Sequence, residues 1–322
     1  MRWLWDYTLG LCPIPLIFVF LLGLLFLSAA AIFRFFSKKR GRSASSARAK
    51  IGNGALLAAS WAGLFVFFFY ALWGFNYDRV GLEKQLHLEI LPLDAAAVRA
   101  EAEWTAWMLA ETRGSIPGAT PDALGKDLLR PDLEAEIRGC LARVLEKAGY
   151  PIAGRPRIRP LQPGGLIMRF SASGFYFPYS CEGYIAANIM PAERPFVIAH
   201  EMVHAYGIAD EGGANFLAFL ACRSSDDPAV RYSGFFSYWE YVFGEFARSS
   251  RDDAVGLVKC LPMGVKADIR AVRENWKRYR GPLSEAAGAV YEKYLKAQGV
   301  NEGIKSYDRF VSLAAAWKRQ GH

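Results

Sequence analysis

The sequence predicts an α+β protein in which two N-terminal transmembrane helices precede a mainly helical domain with a small β-sheet. Three observations predict this class: two long uncharged apolar runs near the N-terminus, helix-period stretches further on, and a central region of short aromatic runs cut by Gly and Pro.

The first uncharged run, Tyr7 to Phe33, contains "PIPLIFVFLLGLLFLSAAAIF", and the second, Ile51 to Tyr77, contains "ALLAASWAGLFVFFFYALWG". Roughly 20 apolar residues cross a bilayer as a helix, so both runs are long enough. A cleaved signal peptide is the competing reading of the first, because "SAAA" offers small residues near its end. Against it stand the barely basic leader "MRWLWD" and the following "RFFSKKRGR", which has the character of a stop-transfer flank. Between the runs lie Arg34, Lys38, Lys39, Arg40, Arg42, Arg48 and Lys50 with no acid. The positive-inside rule assigns this loop to the cytoplasm and puts the N-terminus and everything after the second run outside. The expected organisation is an N-terminus and first helix at 1–33, a basic loop at 34–50, a second helix at 51–77 and an extracytoplasmic domain at 78–322, in a bacterial cytoplasmic (inner) membrane.

Those seven cations and Arg2, set against Asp6, give residues 1–50 a net charge of +7, while the whole chain carries +8. The remainder is nearly neutral. A nucleic-acid partner is excluded, since that reading needs a basic patch on the folded domain. The basic loop itself suits contact with anionic membrane lipid. Of the five cysteines, Cys12 falls in the first run and Cys140, Cys181, Cys222 and Cys260 in the domain. None has the spacing of a structural zinc site, and both free thiols and any of three pairings stay open.

Within the domain, helical periodicity runs through Asp94 to Thr112 and Pro131 to Gly149, the latter with Asp132 near its start and Gly149 as its stop. Between Pro151 and Pro191, "RIRPLQ", "GLIMRFSAS", "GFYFPYS" and "GYIAANIM" read as strands of a small sheet. Helices resume at Pro195, continue through Val230 to Ala247 and recur from Asp252 onward. The stripe "FFSYWEYVF" reads as core or as a rim at the membrane interface.

The stretch "HEMVHAYGIADEGGANF", His200 to Phe216, carries the chemistry. On a helix, positions four apart share a face, so His200 and His204 can reach one cation together. Glu201 then stands beside the metal as a general base, the HExxH arrangement of zinc hydrolases. Zn2+ lowers the pKa of water to about 7 and polarises a carbonyl, while a glutamate so placed moves the proton to the leaving amine. Pro195 at the helix start, "FVIA" before His200 and Gly207 after His204 frame a short buried helix. Two histidines on a core helix that merely satisfy each other remain the plain alternative. For the third ligand, one clan of HExxH enzymes (metzincins) uses the sixth residue after the second histidine, here Asp210. Another (gluzincins) uses a glutamate opening the next helix as ExxA[ND], which Glu211 to Asn215 fits. Asp210 also suits the N-cap of that helix, which favours Glu211. Asn215, one turn on, is placed to steady the carboxylate or a histidine.

"LWGFNYDR", "HEMVHAYGIADEGGANFLAFLAC" and "YLKAQGVNEGIKSYDRFV" together resemble a bacterial family of domains of unknown function, and the likeness runs from Leu72 to the end. Its members look like membrane-anchored, gluzincin-like HExxH zinc metallopeptidases. The resemblance implies a zincin-like domain with zinc at His200 and His204, Glu201 as base and Glu211 as third ligand. It brings no substrate beyond a peptide or protein. Members often carry another acid where this chain has Gly212 and Gly213, which leaves Glu211 and Asp210 as the nearby candidates.

"GYIAANIM", just before the motif, is where zincins place an edge strand that pairs with an extended substrate. Cys181 and Glu182 beside it are polar groups without a motif. Tyr206 and Tyr307 are phenols that could steady an oxyanion. The expected function is a membrane-anchored zinc metallopeptidase. A noncatalytic envelope scaffold and a zinc hydrolase of nonpeptide amides share the same pattern. An intramembrane site is disfavoured, because the motif lies about 120 residues past the second run in a charged segment.

Overall fold

The computed structural model describes residues 5–37, 47–297 and 309–321. Helix α1 (Leu16–Ser37) and helix α2 (Ala47–Leu72) each hold a 19-residue window long and apolar enough to cross a membrane. The first window is 11% buried and the second 0%, so neither is a core helix. Of the basic loop, Lys38, Lys39, Arg40 and Arg42 lie outside the described residues.

Residues ahead of α1 fold back on the domain. Pro13 and Pro15 separate a short 3-10 turn (Leu9–Leu11) from α1, since proline lacks the donor a helix interior needs. Trp5 Nε1 donates to the Ser180 carbonyl (2.8 Å), and Asp6 Oδ2 accepts from the Arg155 amide (2.7 Å). Arg159 fans onto the carbonyls of Gly10, Cys12 and Pro13. It also pairs with Glu182 at 2.5 Å, both side chains being buried. The other Glu182 oxygen accepts from the Leu16 amide (2.8 Å) and the Tyr184 hydroxyl (2.6 Å). Glu182 thus sits on the N-terminus of α1, where the exposed amides and the helix dipole favour negative charge.

After α2 a 3-10 turn (Gly74–Asp78) and α3 (Leu82–Gln85) lead to α4 (Ala95–Gly114), capped by the Asp94 carboxylate accepting from the Ala97 amide. Helix α5 (Leu133–Lys147) ends before Gly149, whose φ of +75° few other residues adopt. Three of the four expected strands form: β1 (Ile158–Leu161), β2 (Gly174–Phe177) and β3 (Glu182–Ala186). "GLIMRFSAS" does not. Gly165 (φ +84°) and Ser171 (φ +59°) bracket it with left-handed backbone, the amides of Phe170 and Ser171 bond back to the carbonyls of Ile167 and Met168, and Met168–Phe170 makes a 3-10 turn instead.

The sheet order is β1-β3-β2, with β3 parallel to β1 (Ile158 opposite Gly183) and antiparallel to β2 (Gly174 opposite Ile185). The expectation that "GYIAANIM" supplies the edge strand is therefore corrected: β3 is central and β2 lies at the edge. Every residue of β3 is buried, the mark of a strand covered on both faces.

Helices α6 (Arg194–Ala205), α7 (Glu211–Arg223), α8 (Pro228–Ser249), α9 (Arg251–Cys260), α10 (Met263–Lys277), α11 (Pro282–Ala297) and α12 (Arg309–Arg319) complete the chain. Helix α7 is buried from Glu211 to Cys222 and is flanked by α5, α6, α8 and α12. Phe235, Phe236, Tyr238 and Trp239 of the α8 stripe are core, and α8 lies along α4. All five cysteines are free thiols.

Glu182→Ala leaves Arg159 buried without its partner and uncaps α1. Such a loss costs about 3–5 kcal/mol, and it is expected to free residues 5–15. Denaturation of the full chain in detergent, with limited proteolysis near the N-terminus, reads both effects; wild-type resistance would show that the pair is not the seat of α1.

Candidate metal centre

The motif helix lies flat on the sheet because two strand positions lack side chains. A Cβ on Gly174 would stand 2.6 Å from Glu201 Oε1 and 2.7 Å from the Tyr184 carbonyl oxygen. One on Gly183 would stand 3.1 Å from Glu201 Cβ. Pro195 opens α6, and Gly207, at φ +87°, turns the chain back after it. Asp210 then caps α7, its carboxylate accepting from the Gly213 amide (2.7 Å) and pairing with Arg309 (3.0 Å). With Asp210 so engaged, Glu211 is the acid that α7 delivers to the histidines.

His200 Nε2 and His204 Nε2 are 3.0 Å apart, and Glu211 Oε2 lies 3.2 and 3.3 Å from them. Ligand atoms around a tetrahedral zinc stand about 3.3 Å apart, given Zn–N distances of about 2.0–2.1 Å. The three atoms therefore fit one ion, and they form a group that could hold a metal. His204 Nδ1 is 2.8 Å from the Ile208 carbonyl, to which its N–H donates, so Nε2 is the nitrogen that faces the site. Tyr291 Oη donates to Glu211 Oε1 at 2.5 Å. Glu211 Oε2 makes no hydrogen bond and is buried, as are His200 Nδ1 and Glu201 Oε2. A buried carboxylate oxygen that faces two imidazole nitrogens and makes no other contact fits a ligand atom better than a core acceptor. Asn215 donates to Tyr241 Oη (3.2 Å), and its side chain also favours the protonated form of His200.

Burial opposes charge throughout this site, and the carboxylates decide which groups keep it. Burial, reinforced by His204, depresses the His200 pKa. Burial also works against charge on His204, yet Glu211 and Glu201 outweigh it and push His204 up to about 9. Glu211 is held well below the usual carboxylate range, because His204 and His200 overcome its burial. Burial pushes Glu201 up to about 8, with His204 opposing and Glu211 adding. Without a metal the cluster is thus an anionic Glu211 beside a protonated His204, a neutral His200 and a second carboxyl that burial biases toward its neutral form.

A cavity of about 1420 Å³ opens over these residues, with β2 and α11 in its walls. Glu193, two helical turns before His200, lines it too, accepts from Trp276 Nε1 (2.9 Å), and is raised to about 7 by burial. Of the expected phenols, Tyr206 is buried at the end of α6, acts on Arg138 of α5 and does not line the cavity. Tyr307 lies outside the described residues. Tyr291, Tyr294, Tyr77 and Tyr241 line the cavity instead. The signal for the first two was their spacing of three on an apolar helix face. Glu182 and Cys181 belong to the seat of α1 and the turn before β3, away from the histidines.

Fold and site together define a class: an α+β chain with two apolar helices and a two-histidine, one-carboxylate candidate metal centre on adjoining helices. The chain belongs to the family described as "Protein of unknown function (DUF3810)", whose model matches residues 1–315 and so includes both apolar helices and the whole centre. Searches among curated proteins and among solved structures find no match.

Titrated with Zn2+, Glu211→Gln is expected to lose at least about 100-fold in affinity, more than loss of an outer-sphere partner costs. Asp210→Asn should keep wild-type affinity. The reverse pattern would assign Asp210 as the third ligand.

Proposed function

We propose that the chain is a membrane-anchored, zinc-dependent metallopeptidase, with Glu201 as general base and its domain on the outer side of the bacterial cytoplasmic membrane. The observation that carries this reading is the convergence of His200, His204 and Glu211 at 3.0–3.3 Å, with the buried Glu201 carboxylate next to them. Zinc, when bound, supplies Lewis acidity and brings the pKa of water near 7.

The chain's own groups do the rest. Glu201, whose buried carboxylate stands beside the two imidazoles, takes the proton of the attacking water and returns it to the leaving amine. Tyr291 fixes one oxygen of Glu211, leaving the other for the ion. Edge strand β2 brings Gly174 against Glu201, so an extended peptide added to the sheet would pass the base.

The topology has separate support. Residues before α1 and residues after α2 meet in one folded unit, as in the Arg159 contacts with Gly10 and Cys12. A chain that leaves that unit through α1 and returns through α2 crosses a membrane twice. The N-terminus and domain then share the outer side, and the basic loop faces the cytoplasm and its anionic lipid.

The test is cleavage of a detergent-solubilised mixture of soluble and membrane-derived peptides by the zinc-loaded full chain, read as new N-termini. Wild type should cut. Glu201→Gln should lose about 10²–10⁴-fold in rate, the usual worth of a general base, while retaining zinc. Equal rates in the two would sink the assignment of Glu201. Zinc bound with no peptide cleavage would leave the noncatalytic scaffold, and release of amide products from cell-wall fragments alone would leave the nonpeptide hydrolase.

A further inference from the structure

We propose that the substrate is a membrane-embedded polypeptide segment, which enters the cavity sideways from the bilayer; the inference rests on the peptidase reading above. Ile17, Phe18 and Leu21 in the first turns of α1, and Phe69 in the last turn of α2, line the same cavity as His200, Glu201 and His204. The cavity therefore begins where the two apolar helices meet the domain.

The edge strand reaches along those helices. Tyr179, just past β2, stacks on Phe65 with ring centroids 4.7 Å apart and donates to the Phe65 carbonyl at 2.8 Å. Phe20 of α1 packs on Phe177 and Tyr179, both at 5.3 Å. Phe65 lies seven residues before the end of α2, roughly 10 Å along the helix at 1.5 Å per residue. The end of β2 is thus level with the apolar windows.

The cavity rim is apolar and open. Leu166, Phe170, Leu283 and Val290 all line it and are 42%, 50%, 51% and 67% exposed. On α11 the lining residues Leu283, Ala286, Ala287, Val290, Tyr291 and Tyr294 follow the three-and-four spacing of one helix face. An amphipathic helix of this kind lies in a membrane interface with its apolar face inward. Facing water, such a patch is unfavourable; facing lipid, it is not.

Two features select a polypeptide over a phospholipid. Among the described residues no Lys or Arg lines the cavity, whereas Glu193 and Glu240 do, which disfavours an anionic headgroup. A backbone in a water-poor cleft must also satisfy its N–H and C=O groups, which an edge strand can do and which an acyl chain does not need. The volume of about 1420 Å³ also exceeds the roughly 300–1,000 Å³ of small-molecule sites.

The test uses the full chain in phosphatidylethanolamine–phosphatidylglycerol vesicles and needs no catalysis. Nitroxide labels are placed by Phe170→Cys or Val290→Cys after Cys12, Cys181 and Cys260 are changed to Ser. Oxygen and nickel-chelate collision rates are expected to put both labels within the apolar layer, and labels in water overturn the proposal. In the Glu201→Gln chain, benzoylphenylalanine at Leu283 is then offered two synthetic probes. One has a span of about 20 Leu and Ala residues followed by an apolar tail, and the other is the tail alone. The membrane-held probe should crosslink at least about tenfold more, since confinement raises its effective concentration. Equal crosslinking, or crosslinks to lipid only, overturns the proposed substrate class. Failure of the zinc reading would leave these readouts unchanged, so the two ideas fail separately.

Discussion

The carboxylate of Glu211, buried between two imidazoles, is the constraint to which the centre of the fold answers. An isolated charge there would be strongly unfavourable, so burial demands compensating positive charge. His200 and His204 are held at the right spacing by one turn of α6, and α7 must begin where Glu211 can reach them. Gly207 makes the reversal, Asp210 caps the new helix and Arg309 holds Asp210 in that role. Because α7 is buried along its length, its position is fixed by α5, α6, α8 and α12 together. The site is thereby built on packed helices rather than loops, which suits an arrangement that must hold to within tenths of an ångström.

A second buried charge pair does comparable work at the opposite side of the sheet. Glu182 and Arg159 pin the N-terminal segment and the first turn of α1 to β1 and β3. The same sheet carries β2 against Glu201. The root of the first apolar helix and the candidate base are therefore supported by one three-stranded element.

Much of this was legible in the sequence because the signals were local. HExxH with Pro195 before it and Gly207 after it specifies a short helix with two histidines on one face, and Asp210 followed by Glu211 reads as a cap and a first-turn acid. The two apolar helices were legible from length and charge alone. What was not legible depends on contacts distant in sequence. The strand order is set by pairings across loops, so "GYIAANIM" could not be told from an edge strand, although its opening "GYIAA", free of polar alternation, was the available hint. "GLIMRFSAS" has strand composition, yet left-handed backbone at Gly165 and Ser171 and local bonds from Phe170 and Ser171 back to Ile167 and Met168 make it a turn. Tyr291 reaches Glu211 from 80 residues away, and nothing near the motif announces it. Glu182 looked like a stray acid because its partners, Arg159 and the Leu16 amide, come from two other segments.

The central claim is that His200, His204 and Glu211 bind one zinc ion. X-ray absorption at the zinc edge on the purified full chain tests it most directly. The account predicts one zinc per chain with two imidazole nitrogens and oxygen ligands at about 2.0–2.2 Å and no sulfur, and with one imidazole lost or the metal gone in His204→Ala. A chain that takes up no stoichiometric zinc, or a shell containing sulfur at about 2.3 Å, would contradict it.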